Sequence, residues 1–540
     1  SILFSILFSN CVFSQSPEWA KQISGNEFEY IRGITHDSQD NIILYGEYSL
    51  VIDLDPGTSV LYDTSRGNSD IFIIKLDPNG NLIWAKTLGD SQWNYCMEIK
   101  CDGNDNVYLS GTFNDSIDID PGPSVEMLDS TQGQTFLLKL NNNGEFVWAI
   151  QNGYSELSSF DIKSNNNLLL LDLRRIREID ENKNLISIDS IGGGGSYKIL
   201  LDDNENIFVI GYFINTIDFD PDTGTYLLTS QNCCSFHDLY ITKFDQSRNF
   251  LWATRIGSQP PSMRLKDAIT DHSGNFYICF DANSGLCTGT NTTDTCFTPV
   301  TTSSGDFGYL LKYDPNGNFL NCEAMASNTA SALAWGVTTD LFNNIYFTGK
   351  YGGAFDFDPG PSTYFLTSST YGNVFIQKLD STFAFIDCIE YAPTGLINSG
   401  KLIIDSQNNL YTEGYFQGSC LFDSSSGITF NSWVTVDSYV TKYRDIILKG
   451  NESVNSLSKQ LIIFPNPSAE KISIKINELT GLIDKILIID NFGSTIWSTE
   501  KYIFSNNDII EIDNANLNQG IYTLVLISKN RIYSERFIKL

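Results

Sequence analysis

Apolar and polar residues alternate with a period of two in short runs along most of the chain, and the runs return in a fixed order. The clearest is DIFIIKLDPNGNLIWAK from Asp70: an apolar run, a polar turn and a second apolar run. It recurs as QTFLLKLNNNGEFVWAI from Gln134, DLYITKFDQSRNFLWAT from Asp238 and FGYLLKYDPNGNFLNCE from Phe307. NVFIQKLDSTFAFIDC from Asn373 is looser, SYVTKY from Ser438 is cut short, and IREIDENKNLISI from Ile176 is degenerate. Aligned on its Lys, the phrase falls at Lys75, Lys139, Glu178 (the degenerate copy), Lys243, Lys312, Lys378 and Lys442, at spacings of 64, 39, 65, 69, 66 and 64 residues. Period-two alternation of this length predicts strands, and no long stretch follows the 3.6-residue helical period.

Each copy has an upstream half, as in GITHDSQDNIILYG from Gly33. Its Asp and Asn stand four apart: Asp37/Asn41, Asp102/Asn106, Asp202/Asn206, Asp271/Asn275, Asp340/Asn344 and Asp405/Asn409, with Lys163/Asn167 in the degenerate unit. Asp and Asn bracket tight turns because their side chains bond nearby backbone amides and tolerate left-handed backbone. A Gly follows five residues after the Asn in five units: Gly46, Gly111, Gly211, Gly349 and Gly414. Each unit therefore predicts two hairpins, in unit one strands at about 31–36, 41–46, 70–76 and 81–87. Such units cannot bury their apolar faces alone and must stack on one another. Radial stacking of seven four-stranded meanders predicts an all-β, seven-bladed β-propeller. The seventh unit ends after VTKYR without an outer strand, whereas SPEWAKQISG from Ser16 matches the outer strand NLIWAKTLG of unit one. The N-terminal strand is therefore expected to close the last blade, which removes an exposed edge.

The longer units carry about 25 extra residues between their second and third strands, with phrases IDLDPGTSVLYDTS from Ile52, IDIDPGPSVEMLDS from Ile117, IDFDPDTGTYLLTS from Ile217 and FDFDPGPSTYFLTS from Phe355. In an up-and-down blade these connections share one face with the links between blades. The inserts should crown that face, with a gap at the third blade, and loops on a rigid scaffold are where binding usually sits.

Composition agrees with many short strands: 13% aromatic residues, only 18% charged, and 41 Gly in 540 residues. The net charge is −30. From residue 461 onward there are 8 Lys/Arg against 9 Asp/Glu, so −29 of it lies in residues 1–460. Such a field disfavours nucleic acid and anionic membrane, favours cations and basic partners, and also serves plain solubility. The start, SILFSILFSNCVFSQ, is an apolar run ending in small residues and too short to span a membrane; it reads as part of a secretory signal peptide (residues 1–14). Exported cysteines can pair. Cys287 and Cys296, in one loop, are the expected disulfide, and Cys96–Cys101 is a weaker pair.

The Asp-x-x-x-Asn turn, the Gly and the Asp-x-Phe-x-x-Lys-x-Asp strand together resemble the bacterial β-propeller repeat family called SBBP, over about residues 17–445. The resemblance implies the propeller fold and says little of activity, because propellers host many. After a linker at 446–460, residues 461–540 read as a small Ig-like β-sandwich. That segment resembles the C-terminal sorting domain of the type IX secretion system of Bacteroidetes. Phe464-Pro465-Asn466-Pro467, Gly520-Ile521-Tyr522-Thr523-Leu524 and Phe537-Ile538-Lys539-Leu540 carry the match. It implies export to the periplasm, passage through the outer membrane by the type IX machinery, and a secreted or outer-membrane-surface location.

Repeated acidic pairs are the one constellation with metal chemistry. Asp53/Asp55, Asp118/Asp120, Asp218/Asp220 and Asp356/Asp358 put two carboxylates on one face of a strand, and Asp222 adds a third in the fourth unit. Calcium wants 6–8 oxygens, more than one pair supplies, and Asp before Pro-Gly is also ordinary turn chemistry. Trp19, Trp84, Trp148 and Trp252 share one repeat position and read as packing between blades. Trp93, Trp335 and Trp433 fall off the repeat and are the candidates for stacking on a ligand. Gly192–Gly195 has no phosphate-binding signature after it. The expectation is a secreted, surface-displayed, adhesin-like binding module whose ligand is a protein or a glycan. The alternative is an extracellular hydrolase or lyase acting on polysaccharide or peptide at the central channel.

Overall fold

The computed structural model describes residues 16–444 apart from 133, 153–156, 231–236, 259–262, 284, 290–294, 298–305, 326–330, 424–426 and 433–434. In the tail it describes 461–464, 471–476, 481–489, 495–504, 509–513, 517, 520–528 and 531–539. The signal-peptide reading, the linker, Trp433, Pro465, Asn466 and Pro467 lie outside the described residues. The chain divides into two compact units, one ending at Tyr443 and the other beginning at Arg444, with the turn 406–409 grouped with the second.

In the first unit seven antiparallel four-stranded sheets follow one another in chain order. Blade one is Glu29–His36, Ile42–Tyr48, Asp70–Leu76 and Leu82–Leu88, each strand paired with the next. The middle two strands are buried on both sides, as their near-continuous apolar runs require. In the seventh blade Ile397–Ile404, Leu410–Phe416 and Asp437–Tyr443 are completed by Trp19–Gly25, with Trp19 opposite Lys442 and Ile23 opposite Ser438. Both ends of the propeller sequence thus share one sheet. The Asp–Asn turns form as expected. Asp37 Oδ1 accepts from the Gln39 and Asn41 amides at 2.9 Å each, and Asn41 Nδ2 donates to Asp37 Oδ2 at 2.8 Å.

A β-bulge sits in the innermost strand of every blade, for instance between Ile31 and Gly33, Cys96 and Glu98, and Ala334 and Gly336. The bulge explains the repeated Gly. A Cβ at Gly46 would lie 2.0 Å from the Tyr30 carbonyl, and one at Gly349 would lie 1.8 Å from the Leu333 carbonyl, because the bulge pushes that backbone against the second strand.

Neighbouring blades are latched by the repeat-position tryptophans. Trp84 Nε1 donates to the Asn142 carbonyl at 2.9 Å, Trp148 to Glu181 at 2.9 Å and Trp252 to Pro315 at 3.1 Å, each in the third-to-fourth turn of the following blade. Trp19 closes the ring in the same way, donating to the Pro78 carbonyl at 3.1 Å.

The inserts are hairpins, and their attachment differs from a simple crown of loops. Val51–Asp53 with Tyr62–Thr64, Leu286–Gly289 with Thr295–Phe297, and Ser419–Asp423 with Ile428–Asn431 each extend the outer strand of the preceding blade. Those at Ile117–Asp118, Thr216–Asp218 and Ala354–Asp356 form separate two-stranded sheets. In the third blade Leu168–Asp172 runs into Arg175–Ile179 with two residues between them, which is the expected gap. Cys287 is disulfide-bonded and stands opposite Cys296 across its hairpin. The weaker pair fails: Cys96 and Cys101 are both free thiols, because five residues along one extended strand, Tyr95–Cys101, hold them far beyond bonding distance.

In the second unit Leu461–Phe464, Lys471–Ile476 and Ile509–Asp513 form one sheet, and Gly481–Ile489, Thr495–Phe504, Gly520–Ser528 and Arg531–Lys539 form the other. Ile472, Ile474, Ile486, Ile488, Ile512 and Leu524 pack between them with Tyr522. Of the sorting-motif residues, Gly520 pairs with Lys539 and Tyr522 with Phe537 across the last hairpin. Phe464 ends the first strand.

Candidate functional site: the channel and its aromatic rim

The seven innermost strands surround a cavity of about 410 Å³ on the ring axis. One repeat position, four residues before each turn Asp or its equivalent, is held by Gly33, Glu98, Ser159, Lys198, Asp267, Gly336 and Lys401, and Glu98, Lys198, Asp267 and Lys401 line the cavity. Lys100 and Asp161 lie two residues further along their strands. The described lining thus holds three carboxylates and three ammonium groups. They satisfy one another. Lys198 Nζ is 2.7 Å from Asp267 Oδ1, Lys401 Nζ is 3.6 Å from the same oxygen, and Lys100 Nζ is 2.6 Å from Asp161 Oδ1. Glu98 Oε2 accepts from Ser159 Oγ at 2.7 Å and from the Phe160 amide at 3.1 Å.

Burial alone would raise the carboxyls of Glu98 and Asp267. The lysines outweigh it, Lys100, Lys198 and Lys401 for Glu98 and Lys198 and Lys401 for Asp267, and hold both below the ordinary carboxylate range. These acids are kept ionised, whereas a general acid needs its carboxyl raised. The cluster pins five blades together at the axis.

Toward the insert-bearing face the channel opens into aromatic side chains. Trp93, Tyr95 and Met97 are 41%, 43% and 41% exposed, and Tyr197 is 53% exposed. Phe28 and Trp93 lie in the links that enter blades one and two, and Tyr30 and Tyr95 lie at the starts of the first strands of those blades. Phe28 and Trp93 have centroids 6.1 Å apart and planes 5° apart; Trp93 and Tyr95, 6.4 Å and 7°. Phe28 and Tyr30 stack at 5.2 Å, and Tyr415 meets Tyr30 edge-on at 4.8 Å. Backbone contacts fix the row. Phe28 bridges to Val436 and Trp93 to Ser69, and the Ile31 amide donates to Ser438 Oγ at 2.8 Å. Arg32, the bulge residue of blade one, lies 5.0 Å from the Tyr30 ring centroid and donates to Glu47 at 2.9 Å.

Of the tryptophans singled out in the sequence, Trp93 is in this row. Trp335 is a bulge residue, half-buried, with Lys266 Nζ 4.2 Å from its ring centroid and its buried Nε1 unpartnered among the described residues. Sequence reasoning passed over Phe28, Tyr30 and Tyr95, and also Glu98, Lys198, Asp267 and Lys401. The channel quartet had a signal: charged residues at one repeat position on an otherwise apolar inner strand.

The acidic pairs of the inserts are turn formers. Asp53 Oδ1 accepts from the Asp55 and Leu61 amides at 3.1 and 2.8 Å, and Asp55 Oδ1 from Gly57 at 2.8 Å. Asp118 with Asp120 and Asp356 with Asp358 repeat the arrangement. Asp218 Oδ1 accepts from Asp220 and Tyr226, and Asp220 Oδ1 from Asp222. Among the described residues no three His, Cys, Asp or Glu side chains converge on a point where a metal ion would sit. Across each hairpin the first Asp faces an exposed apolar residue: Tyr62, Met127, Leu227 or Phe365.

Comparison with known proteins gives two kinds of likeness. An uncharacterized WD repeat-containing protein of Acanthamoeba polyphaga mimivirus is 22% identical, over 79% of this chain and 38% of its own length. The chain thus spans about two fifths of that relative. Among solved structures, the Pan2 WD40 domain of Neurospora crassa is 11% identical over 77% of this chain and 90% of that one, with a TM-score of 0.40. PorZ of Porphyromonas gingivalis, described as a surface component of the type IX secretion system, is 11% identical over 96% of this chain and all of that one, with a TM-score of 0.22. No helix among the described residues is long and apolar enough to cross a membrane. Residues 462–540 match the family model of the secretion system C-terminal sorting domain, and a seven-bladed propeller joined to that type IX address is a protein secreted to the cell surface or beyond it.

Proposed function

We propose that the chain, an SBBP-type repeat propeller, is an adhesin-like binding module displayed on the outer-membrane surface, and that it takes a protein or glycan ligand on the insert-bearing face. The observation that carries this reading is the pair of exposed rings, Trp93 and Tyr95, at the channel mouth, on the same face as the exposed apolar residues of the inserts. Exposed apolar patches of this kind mark interaction sites on secreted proteins. The channel agrees with the reading in one respect: its lysines hold the Glu98 and Asp267 carboxyls low, the opposite of what a general acid needs. The test is a glycan array and an immobilised peptide array probed with the labelled full chain. Two variants are compared with wild type, Trp93→Ala and the combined Tyr62→Ala/Met127→Ala/Leu227→Ala/Phe365→Ala. Binding that is unchanged in both overturns the reading. Export is tested by deleting 461–540, which should strand the propeller in the periplasm; unchanged surface display would sink the sorting role.

A further inference from the structure

We infer that the turn at Leu173–Arg175, in the gap of the crown over blade three, receives an acidic residue of a protein partner whose flanking segments are basic. This rests on the binding-face reading above and names the charge pattern of its ligand. Leu168–Asp172 and Arg175–Ile179 are joined only by Leu173 and Arg174, with Asp172 opposite Arg175. Arg174 and Arg175 are both exposed, and neither guanidinium has a hydrogen-bond or ion-pair partner among the described residues. The six other arginines of the first unit, Arg32, Arg66, Arg177, Arg248, Arg255 and Arg264, are each ion-paired with a carboxylate. In a chain of net charge −30, these two adjacent guanidiniums are left unanswered by the chain's own acids.

The turn is held in place before any ligand arrives. The Ser196 amide and Oγ donate to the Leu173 carbonyl at 2.9 and 2.6 Å, and the Ile191 amide donates to the Arg174 carbonyl at 3.0 Å. Those bonds tie it to the link that enters blade four. A fixed backbone leaves less conformational entropy to lose on binding. Guanidinium forks take a carboxylate bidentately, a match that a lysine does not offer. Leu173 adjoins the arginines and Tyr197 follows Ser196; both are about half exposed, so apolar neighbours of the partner's acid have surface to rest on.

The neighbouring inserts set the flanks. Residues 117–129 of blade two hold Asp118, Asp120, Glu126 and Asp129, residues 216–229 of blade four hold Asp218, Asp220 and Asp222, and neither segment contains Lys or Arg. The blade-four insert abuts the link that supports the turn: a Cβ at Gly192 would lie 2.7 Å from the Asp218 carbonyl. A polysaccharide acidic throughout would meet these carboxylates and the field of the whole propeller. A segment acidic at its centre and basic on both sides meets the opposite sign at every point, and the reverse order sets like charges together. Side chains of both signs a few residues apart are a property of polypeptides, which makes the partner a protein.

Fluorescence anisotropy of the full chain with two labelled fifteen-residue peptides tests this. Both contain the same two Glu, four Lys and neutral residues; one has Glu at the centre and Lys toward both ends, and the other has the reverse order. The first should bind about tenfold more tightly. Arg174→Gln/Arg175→Gln should erase the difference, and Arg174→Lys/Arg175→Lys should keep part of it, because the charge stays and the forks go. Lys183→Gln, in the third-to-fourth turn on the opposite face of blade three, also removes a positive charge and should leave the preference unchanged. Wild-type thermal midpoints for these variants show that the fold is intact. Equal binding of the two peptides, no binding of either, or a preference that survives Arg174→Gln/Arg175→Gln overturns the proposal. Alginate bound in an arginine-dependent way, with no preference between the peptides, assigns the turn to an anionic glycan and overturns it as well. After any of these results, array binding that falls in Trp93→Ala or in the insert variant leaves the binding face standing, and indifference of every ligand to those variants removes both.

Discussion

Lys163 Nζ lies 3.7 Å from Glu178 Oε1, and the two residues carry their charges the opposite way round from their counterparts in the other blades. Elsewhere the acid is in the first turn and the ammonium on the third strand: Lys75–Asp37 at 2.7 Å, Lys139–Asp102 at 3.7 Å, Lys243–Asp202 at 3.1 Å and Lys378–Asp340 at 4.0 Å. Those lysines also reach the next blade, as Lys75 does to the Asn142 carbonyl at 3.3 Å and Lys243 to the Pro315 carbonyl at 3.3 Å. In the third blade the donor has moved across the interface. Arg248, in the third-to-fourth turn of blade four, donates to Glu178 and to Asp189. The degenerate copy is thus compensated within its blade and beyond it.

That reversal makes blade three intolerant of the consensus residue. Glu178→Lys would face both Lys163 and Arg248, and is expected to cost about 3 kcal/mol or more, as breaking a buried pair does. The triple variant Lys163→Asp/Glu178→Lys/Arg248→Asn restores the ordinary polarity. Asn also suits the left-handed backbone at position 248, where φ is +70°. Urea unfolding of the three proteins checks this: a triple variant no more stable than the single one would refute the exchange.

Closure of the ring rests on a few N-terminal residues. Trp19 Nε1 and Lys442 Nζ both bond the Pro78 carbonyl, at 3.1 and 2.9 Å, and Trp19–Gly25 covers the edge of Asp437–Tyr443. Trp19→Ala should cost about 2–3 kcal/mol, somewhat less than a fully buried Trp. Removing residues 16–25 should leave an open edge and drive association. Light scattering with thermal unfolding reads both, and a monodisperse truncation with the wild-type midpoint would show that the ring does not need its clasp.

Much of this architecture was legible because a repeat shows its own alignment. The four strands, the turn Asp, and even the closing Trp19 can be read by laying one unit over another. The bulge was legible only in part: Gly46 and its equivalents mark it, yet the reason, a carbonyl pressed against the second strand, exists only in three dimensions. The hairpin annexed by the preceding blade left no local trace, because Asp53 and Ser24 pair through geometry around the ring. The aromatic row was half visible. Period two puts Trp93 and Tyr95 on one side of their segment, whereas Phe28 joins them only because blades one and two are packed side by side.

Glu29 gives the propeller an unusual pH response. Its side chain is wholly buried, and among the described residues no side chain donates a hydrogen bond to its carboxyl. Burial first, then the charge of Asp437, pushes its pKa up to about 9, while burial lifts Asp437 to about 6. Both folded values exceed the unfolded ones of 4.5 and 3.8, so the folded state holds more protons in between. Their contribution is complete below about pH 4 and is lost as pH rises through 6 toward 9. Glu29→Gln should stabilise the protein by a few kcal/mol at pH 8, flatten the fall between pH 6 and 9, and change little at pH 4. Thermal midpoints across that range decide it, and equal slopes for the two proteins would reject the assignment.

The acidic inserts can be tested as turns. Asp218 Oδ1 receives the amides of Asp220 at 3.2 Å and Tyr226 at 2.8 Å, and the Tyr226 hydroxyl donates to the Ala253 carbonyl at 3.0 Å, tying the hairpin to the blade. An Asn side chain keeps the accepting oxygen and loses the charge. Asp218→Asn should therefore be nearly neutral, whereas Asp218→Ala leaves two amides without their acceptor and should cost about 1–2 kcal/mol. A calcium ligand predicts another pattern. Removing the charge would then cost as much as removing the side chain, and millimolar calcium would raise the wild-type midpoint above its value in EDTA. The turn reading expects the same midpoint with calcium as with EDTA. A calcium-dependent rise that Asp218→Asn abolishes would restore the metal to Asp218, Asp220 and Asp222.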